Sequence, residues 1–156
     1  MSYKNLESYV TRMIRVTLSS DQSISSASAT LVDFDTIAGD TGYKMSLVSG
    51  GNGRIRLKGG SFYHIVGITA LDKDTSSDMF YARWYNTSGT ELGQSDGAFR
   101  SNRTGVDGSD YLYESHFCQL VVNPTSDTDY DLKVDGETGT LKTFGTYLHI
   151  IEMSET

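Results

Sequence analysis

Cysteine and proline each occur once in this chain of 156 residues, and both scarcities exclude something. Cys118 has no second thiol to bridge to, and it lies in an apolar run, where inert buried thiols sit. The fold therefore has to hold itself by packing. A chain of this length can do so, because folding hides roughly 70% of its unfolded surface. Concentrated positive charge is missing as well. Net charge is −7 and the densest basic stretch is the alternation Arg54, Arg56, Lys58, so no nucleic-acid partner is expected. No apolar run approaches the length that crosses a bilayer, and residues 1–10 carry no apolar leader core. No membrane partner is expected, and release by cell lysis fits better than secretion.

Glycine (16 residues), tyrosine (10) and phenylalanine (6) are plentiful. Short aromatic and β-branched runs broken by Gly, Ser, Thr, Asn and Asp predict strands joined by turns. In the longest run, Phe62, His64, Val66, Ile68 and Ala70 share one face, and Tyr63, Ile65 and Leu71 share the other. A strand apolar on both faces is central or covered by a neighbour. Tyr130, Leu132 and Val134 alternate in the same way along a later run. The final strand puts Tyr147, Ile151 and Met153 on one face and Leu148 and Ile150 on the other, which calls for a cover from outside the monomer's own core. The polar stretch from Gly93 to Asp110 is expected to be a displayed loop. Eight to ten antiparallel strands at this spacing predict an all-β sandwich or barrel.

One domain is expected over residues 15–156, preceded by an arm over residues 1–14. In the arm Leu6, Val10 and Met13 fall at helical spacing, with Tyr3 three residues earlier. The segment is too short to stand alone as a helix. It reads as an arm ordered on a partner, with a frayed leader or an extension of the first strand as the alternatives.

Candidate chemistry is thin. His64, His116 and His149 lie in separate strands without short metal-ligand spacing. Cys118 and His116 sit two residues apart and point the same way, but lack the third orienting group of an activated thiol. The serines lack a Gly-x-Ser-x-Gly elbow, and Gly50–Gly53 leads into Arg54 instead of Lys and Ser/Thr. No catalytic residue, metal or cofactor is expected. Asp127, Asp129 and Asp131 begin like a calcium loop, yet Leu132 stands where such a loop needs glycine and no closing glutamate follows. A calcium bridge and a solvated acidic edge both remain open. Tyr81, Trp84, Tyr85, Tyr111 and Tyr113 suit either a sugar-binding surface or a core and oligomer interface.

Three segments carry a resemblance. They are Ile55-Arg56-Leu57 followed by Gly60 and Phe62-Tyr63-His64-Ile65; Tyr130-Asp131-Leu132-Lys133-Val134; and Gly145 through Met153. Together they resemble the trimeric jelly rolls of the tumour-necrosis-factor and complement globular-head superfamily, particularly the versions in bacteriophage virion proteins. The proline often found before the glycine of the first segment is absent here. The resemblance implies an antiparallel jelly roll and a homotrimer, with the closing strand near the three-fold axis and Tyr147, His149, Ile151 and Met153 at the interface. It further implies a virion structural protein, made in the host cytoplasm, that decorates and cements a phage capsid surface. The partners would be the major capsid protein or neighbouring virion subunits, held by an anchor of Tyr3, Leu6, Val10, Met13 and Ile14. The alternative is the head of a tail or head fibre that binds a host-surface glycan.

Overall fold

The structure is a computed structural model that describes residues 10–25, 27–39, 44–48, 53–73, 80–92, 95–104, 110–136 and 138–153, without the side chains of 10, 11, 73, 95–104 and 110–114. These residues form strands and no helix. In chain order they are β1 (Val10–Thr17), β2 (Gln22–Ile24), β3 (Thr30–Leu31), β4 (Thr36–Ala38), β5 (Met45–Leu47), β6 (Ile55–Leu57), β7 (Phe62–Lys73), β8 (Tyr81–Asn86), β9 (Glu91–Leu92), β10 (Ser95–Thr104), β11 (Asp110–Val122), β12 (Thr128–Asp135), β13 (Gly139–Leu141) and β14 (Tyr147–Met153).

They build two antiparallel sheets. Sheet A has the order β10-β11-β7-β14-β1-β4, with β13 pairing both β7 and β2. Sheet B has the order β5-β6-β12-β8-β9, with β3 beside β12. Sequence neighbours β6 and β7, β11 and β12, and β12 and β13 lie in opposite sheets, so the chain winds between layers as a jelly roll.

Strict alternation fills the space between the sheets. Sheet A contributes Ile14 and Val16, Tyr63, Ile65 and Leu71, Cys118 and Leu120, and Leu148 and Ile150. Sheet B answers with Met45, Ile55 and Leu57, Ala82 and Trp84, and Tyr130, Leu132 and Val134. A polar tie closes one end of this core. Lys44 Nζ, just before β5, donates to Glu152 Oε1 of β14 at 2.5 Å and to Ser61 Oγ at 2.9 Å, and Ser61 Oγ donates to the same carboxylate at 3.0 Å. The buried carboxylate is thus paired and hydrogen-bonded, the condition under which such groups are tolerated inside proteins.

Two expectations need correction. Residues Val10 to Ile14 are not part of a helix-spaced arm but the first half of β1, held by β14 through pairs from Val10↔Met153 to Ile14↔Ile150. Among the described residues, β1 therefore takes up the last five positions of the expected arm, Val10 to Ile14. The expected displayed loop from Gly93 to Asp110 contains strand β10, which runs antiparallel to β11 from Ser95↔Cys118 to Thr104↔Asp110. As the outermost strand of sheet A it takes its order from backbone pairing on one side, and so needs no apolar alternation.

Candidate interaction face

The outward surface of sheet A joins apolar side chains of four adjacent strands, with Arg15, Thr17, His64, Gln119 and His149 set among them. On β14 the residues facing away from the core are Tyr147, His149, Ile151 and Met153, each half-buried. Register places Ile68, Val66, His64 and Phe62 of β7 beside them in that order. On the other flank, Thr17, Arg15 and Met13 of β1 oppose Tyr147, His149 and Ile151. Beyond β7, Phe117, Gln119 and Val121 of β11 oppose Ile68, Val66 and His64. The margins are open, with Met13 55% and Val121 54% exposed. None of these side chains is a carboxylate, although the chain carries 20 acidic residues. The cation Arg15 lies over the Tyr147 ring at 4.6 Å, the Tyr147 and His149 rings are 5.2 Å apart, and His64 Nε2 is 3.3 Å from Gln119 Oε1.

Sheet B presents the opposite character. Arg54 forms a two-point pair with Asp131 (2.7 and 2.9 Å), Arg56 does the same with Asp129, and Lys58 Nζ reaches Asp127 at 2.5 Å. The cause is register: β6 alternates base and apolar residue, β12 alternates acid and apolar residue, and the two strands are paired. The Lys58 ammonium and the Gly59 N–H hold the Asp127 carboxyl below its ordinary range. Arg83 sits between Asp135 and Glu91, at 3.5 and 3.8 Å. The acidic run Asp127, Asp129, Asp131 is therefore one half of an ion-pair ladder, each carboxylate engaged by its own cation. Among the described residues no group of three His, Cys, Asp or Glu side chains is arranged to hold a metal.

The remaining candidates divide between core and surface. Trp84 is a core residue at 1% exposure and presents no face to a sugar. Tyr85 lies on the outer side of sheet B with Lys133 over its ring at 5.0 Å, whereas the Tyr81 ring, with Arg83 over it at 4.8 Å, also meets the buried His116 ring edge-on at 6.4 Å. The side chains of Tyr111 and Tyr113 lie outside the described set. His116 is buried edge-on to Phe80, ring centres 6.0 Å apart. Cys118 shares its inward face, and burial pushes the thiol up to about 12, against smaller opposing effects of Trp84 and the Gly67 backbone. A thiolate is thus scarcely populated near neutral pH. Native protein at pH 8 is expected to resist a maleimide reagent and to take up one equivalent only on unfolding; rapid labelling of the folded chain contradicts this placement.

The expected anchor splits. Ile14 is a core residue, packed with Val16 and Ile150 inside the sandwich, and is removed from the partner-binding set because its side chain is only 1% exposed. Met13 faces outward on the apolar side of sheet A, and Val10 lies at the start of β1. Tyr3 and Leu6 lie outside the described residues. The expected interface residues Tyr147, His149, Ile151 and Met153 do share one outward face. Reading only the last strand misses Phe62, Val66, Ile68, Phe117 and Val121, which extend that face. The two-sided alternation of the Phe62 run is the signal that marks the first three.

The sequence matches no protein-family model and no curated protein. Solved structures match in fold. Murine APRIL at pH 8.5 superposes with a TM-score of 0.56 at 10% identity, over 91% of this chain and 98% of that one. The same murine protein at pH 5.0 gives 0.56 at 12% identity over the same shares. Eiger TNF from S. frugiperda gives 0.52 at 9% identity, over 92% of this chain and 93% of that one. At such low identity the likeness shows the fold alone, an all-β TNF-like jelly roll.

Proposed function

We propose that this chain is a self-associating structural head: a homotrimer closed through the outer face of sheet A, working by assembly and attachment and not by catalysis. The observation that carries the reading is the contrast between the two outer faces. Sheet B's is covered by paired charges and suits water, whereas sheet A's joins apolar side chains of β1, β14, β7 and β11 into one patch. Patches of that kind mark association sites. The occupant that fits is another copy of the chain. With a net charge of −7, two copies repel through most of their surface. The described part of sheet A around β14 offers them a contact where no carboxylate faces another.

The attachment role that fits such a trimer is decoration of a virion capsid, where it sits on a three-fold or quasi-three-fold point and bridges neighbouring subunits. This step is supported by the resemblance carried by the Ile55–Ile65, Tyr130–Val134 and Gly145–Met153 segments, and it puts the protein on the capsid surface. Tyr3 and Leu6 remain the apolar anchor candidates ahead of β1.

Light scattering of the purified chain tests the assembly. The expected mass is three times the 17.1 kDa chain, and a uniform single-chain mass at micromolar concentration contradicts it. Removing residues 1–9 leaves every described strand intact, so the shortened chain should still trimerise but no longer co-sediment with capsids. Unimpaired co-sedimentation moves the anchor onto the jelly roll itself.

A further inference from the structure

The outer face of sheet A sets two imidazoles, those of His64 and His149, among its apolar side chains, with Arg15 and Gln119 as their polar neighbours. We infer that assembly through this face is proton-sensitive, with copies joining while His64 and His149 are neutral and separating when acid charges them. The inference rests on the self-association reading and names how that same face is regulated.

The surroundings of each ring support it. His64 of β7 is flanked by Phe62 and Val66 on its own strand, by Ile151 of β14 and by Val121 of β11, with the Gln119 amide at 3.3 Å. Gln119 supplies a hydrogen bond and no charge. His149 of β14 is opposed by Val66 of β7 and by Arg15 of β1, with Tyr147 beside it at 5.2 Å. The charged or titratable side chains described on this face around the two rings are thus Arg15, Tyr147 and the other histidine. None is an acid that pairs with an imidazolium. Glu152, the nearest carboxylate along β14, is turned to the opposite side and is bound by Lys44 and Ser61.

In the free monomer, water solvates a protonated ring on this half-exposed face. Assembly removes that water, and burying an unpaired charge is disfavoured. A closed ring of three copies also brings like charges of neighbouring copies together, adding to the repulsion already present between Arg15 and a charged His149. Both effects have the same sign. The assembled state binds fewer protons than the separated chains, so acid drives separation. By linkage, the association constant changes by up to about tenfold per pH unit for each proton released on assembly. Imidazole is the side-chain class that changes charge between about pH 5 and pH 8, so that interval is the one to compare.

The experiment compares the full chain with the His64→Gln/His149→Gln double variant by sedimentation equilibrium at about pH 8 and about pH 5.5, with Trp84 emission as the check on folding. Both rings face outward, so the double variant keeps the core unchanged. The expected result is a wild-type dissociation constant at least about tenfold higher in acid with unchanged Trp84 emission, and a variant whose dissociation constant, whatever its value at pH 8, is the same at both pH values. A wild-type trimer equally stable at both pH values overturns the inference and leaves the trimer standing. So does dissociation of both proteins in parallel, or loss of assembly only together with unfolding. A wild-type monomer at pH 8 removes the underlying reading as well.

Discussion

Ile151→Asp is expected to convert the trimer to a folded monomer. Ile151 lies near the middle of the apolar face, between Met13 of β1 and His64 of β7, and points away from the core. In the isolated chain its side chain is only half-buried, so a carboxylate there stays in contact with water and the sandwich keeps its packing. In the trimer three such carboxylates are taken out of water and brought toward one another, at an effective cost of several kcal/mol per ion. Since about 1.4 kcal/mol is tenfold in affinity, the dissociation constant should rise by roughly a thousandfold or more. Ser46→Asp provides the control. Ser46 is exposed on β5 of sheet B, opposite Arg56, and a new acid there adds one more member to a charged surface. Light scattering should report a single-chain mass for the first variant and a trimer for the second. A stable Ile151→Asp trimer would place the interface elsewhere.

Gly53→Ala should be among the most damaging single substitutions in the fold, and Gly60→Ala a mild one, although both glycines have positive φ (+86° and +80°). The backbone cost is common to both, about 1–2 kcal/mol for a side chain in the left-handed region. Space separates them. A Cβ on Gly53 would stand 2.0 Å from the Val32 carbonyl oxygen and 2.5 Å from the Phe34 nitrogen, whereas one on Gly60 meets nothing within 4 Å. The obstructing segment cannot easily retreat, because Val32 N–H is bonded to the Leu132 carbonyl at 2.9 Å and Phe34 N–H to that of Val32. Forcing a methyl group into such a site adds about 1–3 kcal/mol. At equal chain concentration the melting temperature should fall on the order of 10 °C for Gly53→Ala, and no more than about 5 °C for Gly60→Ala. Equal falls would mean that the turn before β6 relaxes around the added methyl.

Local pattern alone determined the all-β class, the central place of the Phe62 run, the inward set Tyr130, Leu132 and Val134, and the two-sided apolar character of the last strand. Each depends on side chains alternating at a period of two, a property of one strand that needs no partner to be read. Pairing decided the rest. The matched pairs Lys58–Asp127, Arg56–Asp129 and Arg54–Asp131 are 69, 73 and 77 positions apart, and nothing local marks them as one ladder. Only the β6–β12 register turns a calcium-like run into neutralised pairs. Strand β10 carries no alternating signal because an edge strand draws its order from the neighbour's backbone, and Ile14 belongs to the sheet only through its pairing with β14. The interaction face has the same origin. Phe62, Val66, Ile68, Phe117 and Val121 become one surface with Ile151 and Met153 only when β11, β7, β14 and β1 lie side by side, because a face is a property of neighbouring strands and a sequence records one strand at a time.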